Sequence, residues 1–207
     1  MNKYRKSKEI ISIDNVIQIF IHMNMNIINL QNTPKKKHAW KNKAIFLDRD
    51  WTINQDFSYV YKIEDLKLLN WVKEWLSKLK KLWYKLIIIS NQSWIWRWYY
   101  TMEDCKKFNN ELEKQIWIKF DDIYICPHTA EDYCECRKPK TLLIEKAIKK
   151  FNLDIHKCFF VWDKASDIQT WINAWCKTVL INDSQYDCNL IPDYRINSLY
   201  ELSEIIK

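Results

Sequence analysis

The chain contains no glycine. At the usual frequency near 7%, a chain of 207 residues would carry roughly fourteen. A fold without glycine lacks the residue that enters left-handed backbone at no steric cost. It therefore lacks the default cap for a helix C-terminus and the default tight turn. The same chain carries twelve tryptophans, and they sit where a chain needs to bend. Trp83 follows a helical pattern and precedes an apolar strand, the place of a C-terminal helix cap, and Trp117 and Trp175 occupy similar helix ends. Trp94, Trp96 and Trp98 alternate through a loop directly after a strand, and Trp51 and Trp162 adjoin aspartates at strand ends. Such sites call for positive φ or close approach of a ligand, where a Cβ is penalised. A protein built on aromatic platforms would account for the tryptophans but not for the missing glycine. Both are accounted for if glycine belongs at most of these positions, UGA codons for glycine having been translated as tryptophan. Deliberate replacement is the second cause, and UGG codons at these positions would refute recoding.

Hydrophobic residues make up 48% of the chain, enough to bury a sizeable core. No run of eighteen apolar residues occurs, and the N-terminus lacks the pattern of a secretory signal. Seven cysteines, an odd number unevenly spread, suit a reducing compartment, so a soluble cytoplasmic protein is expected. Residues 1–43 carry nine Lys/Arg against Glu9 and Asp14, which is the whole formal net charge of +7. The remainder is neutral, so the basic balance describes an N-terminal extension with a linker at Thr33-Pro34-Lys35-Lys36-Lys37, not the main domain at 44–207. Such an arm is usually a solvated tail; contact with nucleic acid or an acidic membrane surface is the sharper alternative.

From Ala44 onward, short apolar runs alternate with amphipathic ones. The pattern predicts strands at Ala44–Leu47, Leu86–Ile89, Ile123–Ile125, Cys158–Val161 and Thr178–Ile181, and helices over Leu69–Leu82, Met102–Gln115, Leu142–Phe151 and Ser166–Ala174. Strands apolar on both faces, alternating with helices, predict an α/β fold with a parallel sheet flanked by helices. In such folds the active site lies beyond the carboxyl ends of the strands.

The polar residues obey that rule. Strand one runs into Asp48-Arg49-Asp50-Trp51-Thr52, where two carboxylates can reach one crevice, one as nucleophile and one as proton carrier. Strand two ends in Ser90-Asn91-Gln92-Ser93, hydroxyls and amides able to hold phosphoryl or sugar oxygens. Arg137-Lys138-Pro139 follows strand three, and Val161-Trp162-Asp163-Lys164 closes strand four, with Asp167 beyond it. Each element alone reads as surface polarity or a helix cap; the four in succession do not.

With Trp51 and Trp162 read as glycine, these segments spell Asp-x-Asp-Gly-Thr, Ser, Lys and Gly-Asp-x-x-x-Asp. The set resembles the haloacid dehalogenase-like phosphohydrolases over Ala44 to about Asn182. The resemblance implies a Rossmann-like sheet and an aspartyl-phosphate mechanism. Asp48 would attack phosphorus, and Asp50 would protonate the leaving alkoxide and then activate water. Ser90 and Lys138 would hold the phosphoryl oxygens; Asp48, Asp163 and the backbone carbonyl of Asp50 would bind magnesium. The physics is consistent with this, because a carboxylate approaches a phosphate dianion only when cations neutralise the repulsion.

Cys126-Pro127-His128 and Cys134-Glu135-Cys136 place three thiols and an imidazole in eleven residues, a donor set suited to a closed, structural zinc shell of Cys126, His128, Cys134 and Cys136. The zinc would staple the loop that delivers Arg137 and Lys138. The gaps between Asp50 and Ser90, and between Ser90 and Lys138, are too short for a cap domain. A capless, zinc-containing chain is similar to the subgroup that holds heptose 1,7-bisphosphate and histidinol-phosphate phosphatases, with a lean toward the sugar substrate. That resemblance implies substrate contacts from Asp56, Phe57, Ser58, Tyr59, Ser90, Asn91, Gln92, Ser93, Arg137, Lys138 and Lys164. Lys140-Thr141-Leu142-Leu143 departs from it, lacking the Pro-Gly step of the heptose type. The expected partner is a small phosphorylated molecule and the expected state a monomer. Histidinol phosphate is the second substrate and a nucleic-acid 3′-phosphate the third. A non-catalytic zinc module binding nucleic acid through the basic arm is the alternative from another class. It predicts salt-sensitive binding that survives Asp48→Asn.

Overall fold

A computed structural model of the protein describes residues 41–57, 59–70, 72–163, 176–181 and 191–206. The N-terminal arm up to residue 40, the helix expected over 166–174, Ser58 and Lys164 lie outside the described residues. Lys41–Lys207 forms one compact unit.

The apolar runs become strands because both of their faces are covered. In β1 (Lys43–Leu47), Ile45 and Leu47 enter one core, while Ala44 and Phe46 enter the other. The further strands are β2 (Tyr84–Asn91), β3 (Asp122–Cys126), β4 (Phe159–Trp162), β5 (Lys177–Ile181) and β6 (Tyr194–Ile196). They form one six-stranded sheet in the order β3-β2-β1-β4-β5-β6, parallel throughout. Helices α1 (Val72–Lys81), α2 (Met102–Ile116) and α4 (Leu199–Ile205) pack Leu76, Leu79, Phe108, Leu112 and Leu202 against the Ile45/Leu47 face. Helix α3 (Leu142–Phe151) covers the opposite face with Leu143, Ile144 and Ala147. This is the Rossmann-like α/β fold expected from the alternating pattern. Strand order reverses at β1, so the crevice beyond β1 and β4 is the topological switch point where such sheets bind ligands.

Three details differ from the pattern read in the sequence. β2 continues past Ile89, because Ser90 and Asn91 pair with Ile125 and Cys126 of β3. The first helix starts at Val72 and not Leu69, whose N–H instead bonds the Ile53 carbonyl at 3.0 Å. β6 and α4 are additional. Among the described residues no folded domain interrupts the connections from β1 to β3, and no helix is long and apolar enough to cross a membrane.

The tryptophans divide by environment. Trp51, Trp83, Trp98 and Trp117 adopt φ of 57°, 63°, 63° and 65°. Trp117 caps α2 in this left-handed conformation, its N–H reaching the Glu113 and Lys114 carbonyls. Trp75 and Trp162 are buried instead, and among the described residues neither indole Nε1 has a hydrogen-bond partner, although buried tryptophans usually find one.

Candidate active site

β1 ends by delivering Asp48 to the switch point. The Asp48 N–H bonds the Val161 carbonyl at 3.1 Å, continuing the ladder to β4. Its carboxylate accepts the Arg49 N–H at Oδ1 (2.8 Å) and meets the Lys138 ammonium at Oδ2 (2.9 Å). Lys138 is only 5% exposed, so this cation is largely withdrawn from water and weakly screened. Asn91, the last residue of β2, holds the Lys138 backbone from both sides. Its Oδ1 accepts the Lys138 N–H at 3.1 Å and its Nδ2 donates to the Lys138 carbonyl at 3.3 Å.

Asp50 is held by a second buried network. Its Oδ1 accepts from Arg49 Nε at 2.9 Å and Asn54 Nδ2 at 3.0 Å; its Oδ2 accepts from Arg49 Nη2 at 3.0 Å and Gln92 Nε2 at 2.8 Å. Burial acts to lower the Arg49 pKa, but Asp50, Cys105 and Tyr100 together outweigh it and the net shift is upward, so the guanidinium stays charged although fully buried. Gln92 Nε2 also donates to Ser90 Oγ at 2.9 Å, which links the ends of β1 and β2. Leu47 pairs with Val161, so Asp163 leaves β4 at the same end of the sheet as Asp48 leaves β1.

The loop after β3 gathers the sulfur and imidazole donors. Cys126 Sγ lies 3.7 Å from Cys134 Sγ and 3.2 Å from Cys136 Sγ, with Cys134 and Cys136 3.5 Å apart. His128 Nδ1 lies 3.8 Å from Cys126 Sγ and 3.2 Å from Cys136 Sγ. A tetrahedron with metal–sulfur bonds of about 2.3 Å has edges near 3.8 Å, so the donors already stand at about the required spacing. The loop then passes directly into Arg137, whose Nη1 bonds the His128 carbonyl at 3.0 Å, and Lys138.

A carboxylate beside a buried cation, with a second carboxylate and a hydroxyl in one hydrogen-bonded network, is a set of groups suited to phosphoryl transfer. Relatives agree. The family model described as polynucleotide kinase 3 phosphatase matches residues 36–190. The chain is 41% identical over 144 residues to the D-glycero-beta-D-manno-heptose-1,7-bisphosphate 7-phosphatase of Helicobacter pylori, covering 68% of this chain and 83% of that protein. It is 35% identical over 179 residues to the enzyme of the same name from Haemophilus influenzae, covering 80% of this chain and 97% of that one. The chain belongs to this family of haloacid dehalogenase-like phosphatases. The crystal structure of a D,D-heptose 1,7-bisphosphate phosphatase from B. bronchiseptica, complexed with magnesium and phosphate, shares the fold. Its TM-score is 0.72 at 20% identity, over 80% of this chain and 97% of that one.

In the loop after β1, Asp56 Oδ1 accepts the N–H groups of Tyr59 and Val60 at 2.7 and 3.1 Å. This turn holds Tyr59 at φ 68°, its ring 4.0 Å from that of Trp94. Phe57 is exposed beside Trp51, and the Ser93 carbonyl accepts from Arg97 N–H at 3.3 Å. The structure thus brings Asp48 to Lys138, and Asp50 to Ser90 through Gln92, while Asn91 reaches Lys138 from below. Sequence reasoning passed over Arg49, Asn54 and Tyr100 as site residues. Arg49 lies inside the Asp-x-Asp motif, so the motif itself was the available signal; Tyr100 carried none.

Proposed function

We propose that this phosphatase removes the 7-phosphate of a heptose 1,7-bisphosphate through a covalent intermediate on Asp48. The observation that carries the reading is the 2.9 Å contact of Lys138 with Asp48 at the carboxyl end of β1. The names of the curated relatives give the substrate. A carboxylate oxygen of Asp48 forms the new bond to phosphorus as the ester P–O bond breaks, and the leaving alkoxide takes the proton of an Asp50 that has picked one up from solvent before the step. Asp50 then removes a proton from the water that attacks the acyl phosphate, and phosphate departs with Asp48 regenerated. To reach the ester oxygen, Asp50 exchanges one of its N–H partners for the substrate. Lys138 and the Ser90 hydroxyl hold the equatorial oxygens, on which negative charge is spread in the transition state. Asp56, Phe57, Tyr59, Ser93 and Arg137 would contact the sugar and its second phosphate; Ser58 and Lys164, which the resemblance adds to them, lie outside the described residues.

The hard oxygen donors of Asp48, Asp163 and the Asp50 backbone carbonyl suit magnesium, which when bound supplies further neutralisation of phosphate charge. Cys126, His128, Cys134 and Cys136 would hold a structural zinc, and the sulfur and nitrogen spacings support that assignment. Free thiols at Cys105, Cys158 and Cys176 suit a reducing compartment such as the cytoplasm.

The test is phosphate release from heptose 1,7-bisphosphate, histidinol phosphate and a 3′-phosphorylated oligonucleotide. It is run on the chain as it stands, on one with glycine at the tryptophan positions, and on Asp48→Asn of each. Heptose bisphosphate is expected to turn over fastest and Asp48→Asn to release none. Preference for another substrate overturns the specificity, and activity surviving Asp48→Asn overturns the mechanism.

A further inference from the structure

Gln92 carries an amide whose two ends face different chemistry. Its Oε1 accepts from Arg49 Nη2 at 3.2 Å and from the Tyr100 hydroxyl, while its Nε2 donates to Asp50 Oδ2 at 2.8 Å and Ser90 Oγ at 2.9 Å. An amide can turn over by 180° with almost no change in shape, so its orientation is decided by its partners alone. Here the guanidinium at the oxygen end can only donate, and the Tyr100 hydroxyl has a proton to donate. Arginine has no acceptor, and burial pushes the Tyr100 phenol above its ordinary value, so it keeps its proton. The flipped amide would set N–H against the guanidinium and Oε1 against the Asp50 carboxylate. At 4% exposure Gln92 has little water to repair those mismatches.

These donors are themselves fixed by the core. The Arg49 guanidinium lies 4.7 Å from the Phe108 ring of α2, and Tyr100 is buried with its ring stacked on Tyr61 at 4.6 Å. We propose that Tyr100, through Gln92, and Arg49, both directly and through Gln92, are positioning residues that set the rotamer of Asp50 and the donor direction of the Ser90 hydroxyl together. Ser90 Oγ receives an N–H from Gln92, so its own proton is directed elsewhere, to a phosphoryl oxygen in the crevice. The family resemblance counts Gln92 among the substrate contacts; the geometry gives it work beneath the substrate instead. The inference rests on the roles of Asp50 and Ser90 in the proposed reaction.

Gln92→Glu separates this role from a merely structural one. The near-isosteric carboxylate still accepts from Arg49 and Tyr100, but it loses the N–H to Ser90 and meets Asp50 as a second carboxylate, so the pair shares one proton and Asp50 is no longer free to carry its own. On heptose 1,7-bisphosphate its kcat is expected to fall about 30-fold or more with KM nearly unchanged, a split that a merely structural loss would not give. Tyr100→Phe removes one of the two orienting donors, and a kcat roughly 3- to 10-fold lower at constant KM is expected. A measurement without substrate accompanies both. NMR of the full chain should show NOEs from the Gln92 side-chain N–H protons to Ser90, weakened in Tyr100→Phe. Parental kcat in Gln92→Glu, or unchanged NOEs in Tyr100→Phe, overturns the proposal. A parent chain inactive on every phosphomonoester but with these NOEs overturns the reaction assignment and leaves the amide orientation standing.

Discussion

Replacing Trp83, Trp98 and Trp117 together by glycine is expected to stabilise the protein, against the usual result of removing three large side chains. The three residues have φ of 63°, 63° and 65° and are 87%, 93% and 81% exposed. A residue with a Cβ pays about 1–2 kcal/mol in that conformation, whereas so little of each indole is buried that little packing is lost. Glycine returns about 0.5–1 kcal/mol through the extra freedom of the unfolded chain. At position 117 the variant also loses the Lys73 ammonium, 5.0 Å from the Trp117 ring, an exposed contact contributing about 0.5–1 kcal/mol. The sum is a gain of about 1–2 kcal/mol, roughly 2–8 °C in thermal midpoint for a chain of this size. The three sites lie on separate segments, so additivity holds to a few tenths of a kcal/mol. The assay is thermal unfolding of the parent, the triple glycine variant and the triple alanine variant. Alanine removes the indoles but keeps the Cβ, so it should forgo the gain. Equal midpoints for the glycine and alanine variants would show that backbone conformation is not what these positions demand, and the case for native glycine there would fall with it.

Lys138→Ala removes the cation beside Asp48, and kcat/KM in a phosphate-release assay should drop by about 10²–10³; a loss under tenfold would contradict the electrostatic role. Stripping zinc with a chelator should lower both the thermal midpoint and kcat, with recovery on adding zinc but not magnesium, and metal analysis of the untreated protein should find zinc. The Asp121 carboxyl is subject to burial, which acts to raise it, but hydrogen bonds from Lys80, the Leu86 N–H and Lys85 hold it below the usual carboxylate range. A carboxyl lowered on folding contributes stability above its unfolded value of about 3.9, and that contribution disappears as pH falls through the folded value. Urea titrations from pH 7 down to 2 should therefore show Asp121→Asn less stable than the parent at neutral pH, the two curves converging in acid.

The sheet was legible in the sequence because its strands are buried on both faces. Continuous runs such as Leu86–Ile89 admit few other readings, and polar residues following them fall at the carboxyl ends by the geometry of a parallel sheet. The spacing of Cys126, His128, Cys134 and Cys136 was equally plain, since no ordinary core uses four such groups within one loop. β6 escaped because Tyr194-Arg195-Ile196 is a three-residue edge strand with a charge at its centre. α4 spans only seven residues, too few for helical periodicity to register. The hidden half of the site escaped for another reason. Arg49 looks like a surface charge in the sequence; its complete burial depends on Phe108 and Tyr100, which a separate helix and loop bring to it. Tertiary partners of that kind leave no periodic trace.

The clasp of Asn91 on the backbone of Lys138 has a consequence for how the enzyme comes into being. Asp48, clasp and cation belong to three segments far apart along the chain, and the segment that carries the cysteine loop and Lys138 is the last of them to be synthesised. A growing chain that already carries both aspartates therefore lacks the cation that meets Asp48 until β2 and β3 have joined side by side. On the proposed reaction, a polypeptide halted before that loop has no buried cation to set against the phosphate and stays chemically silent.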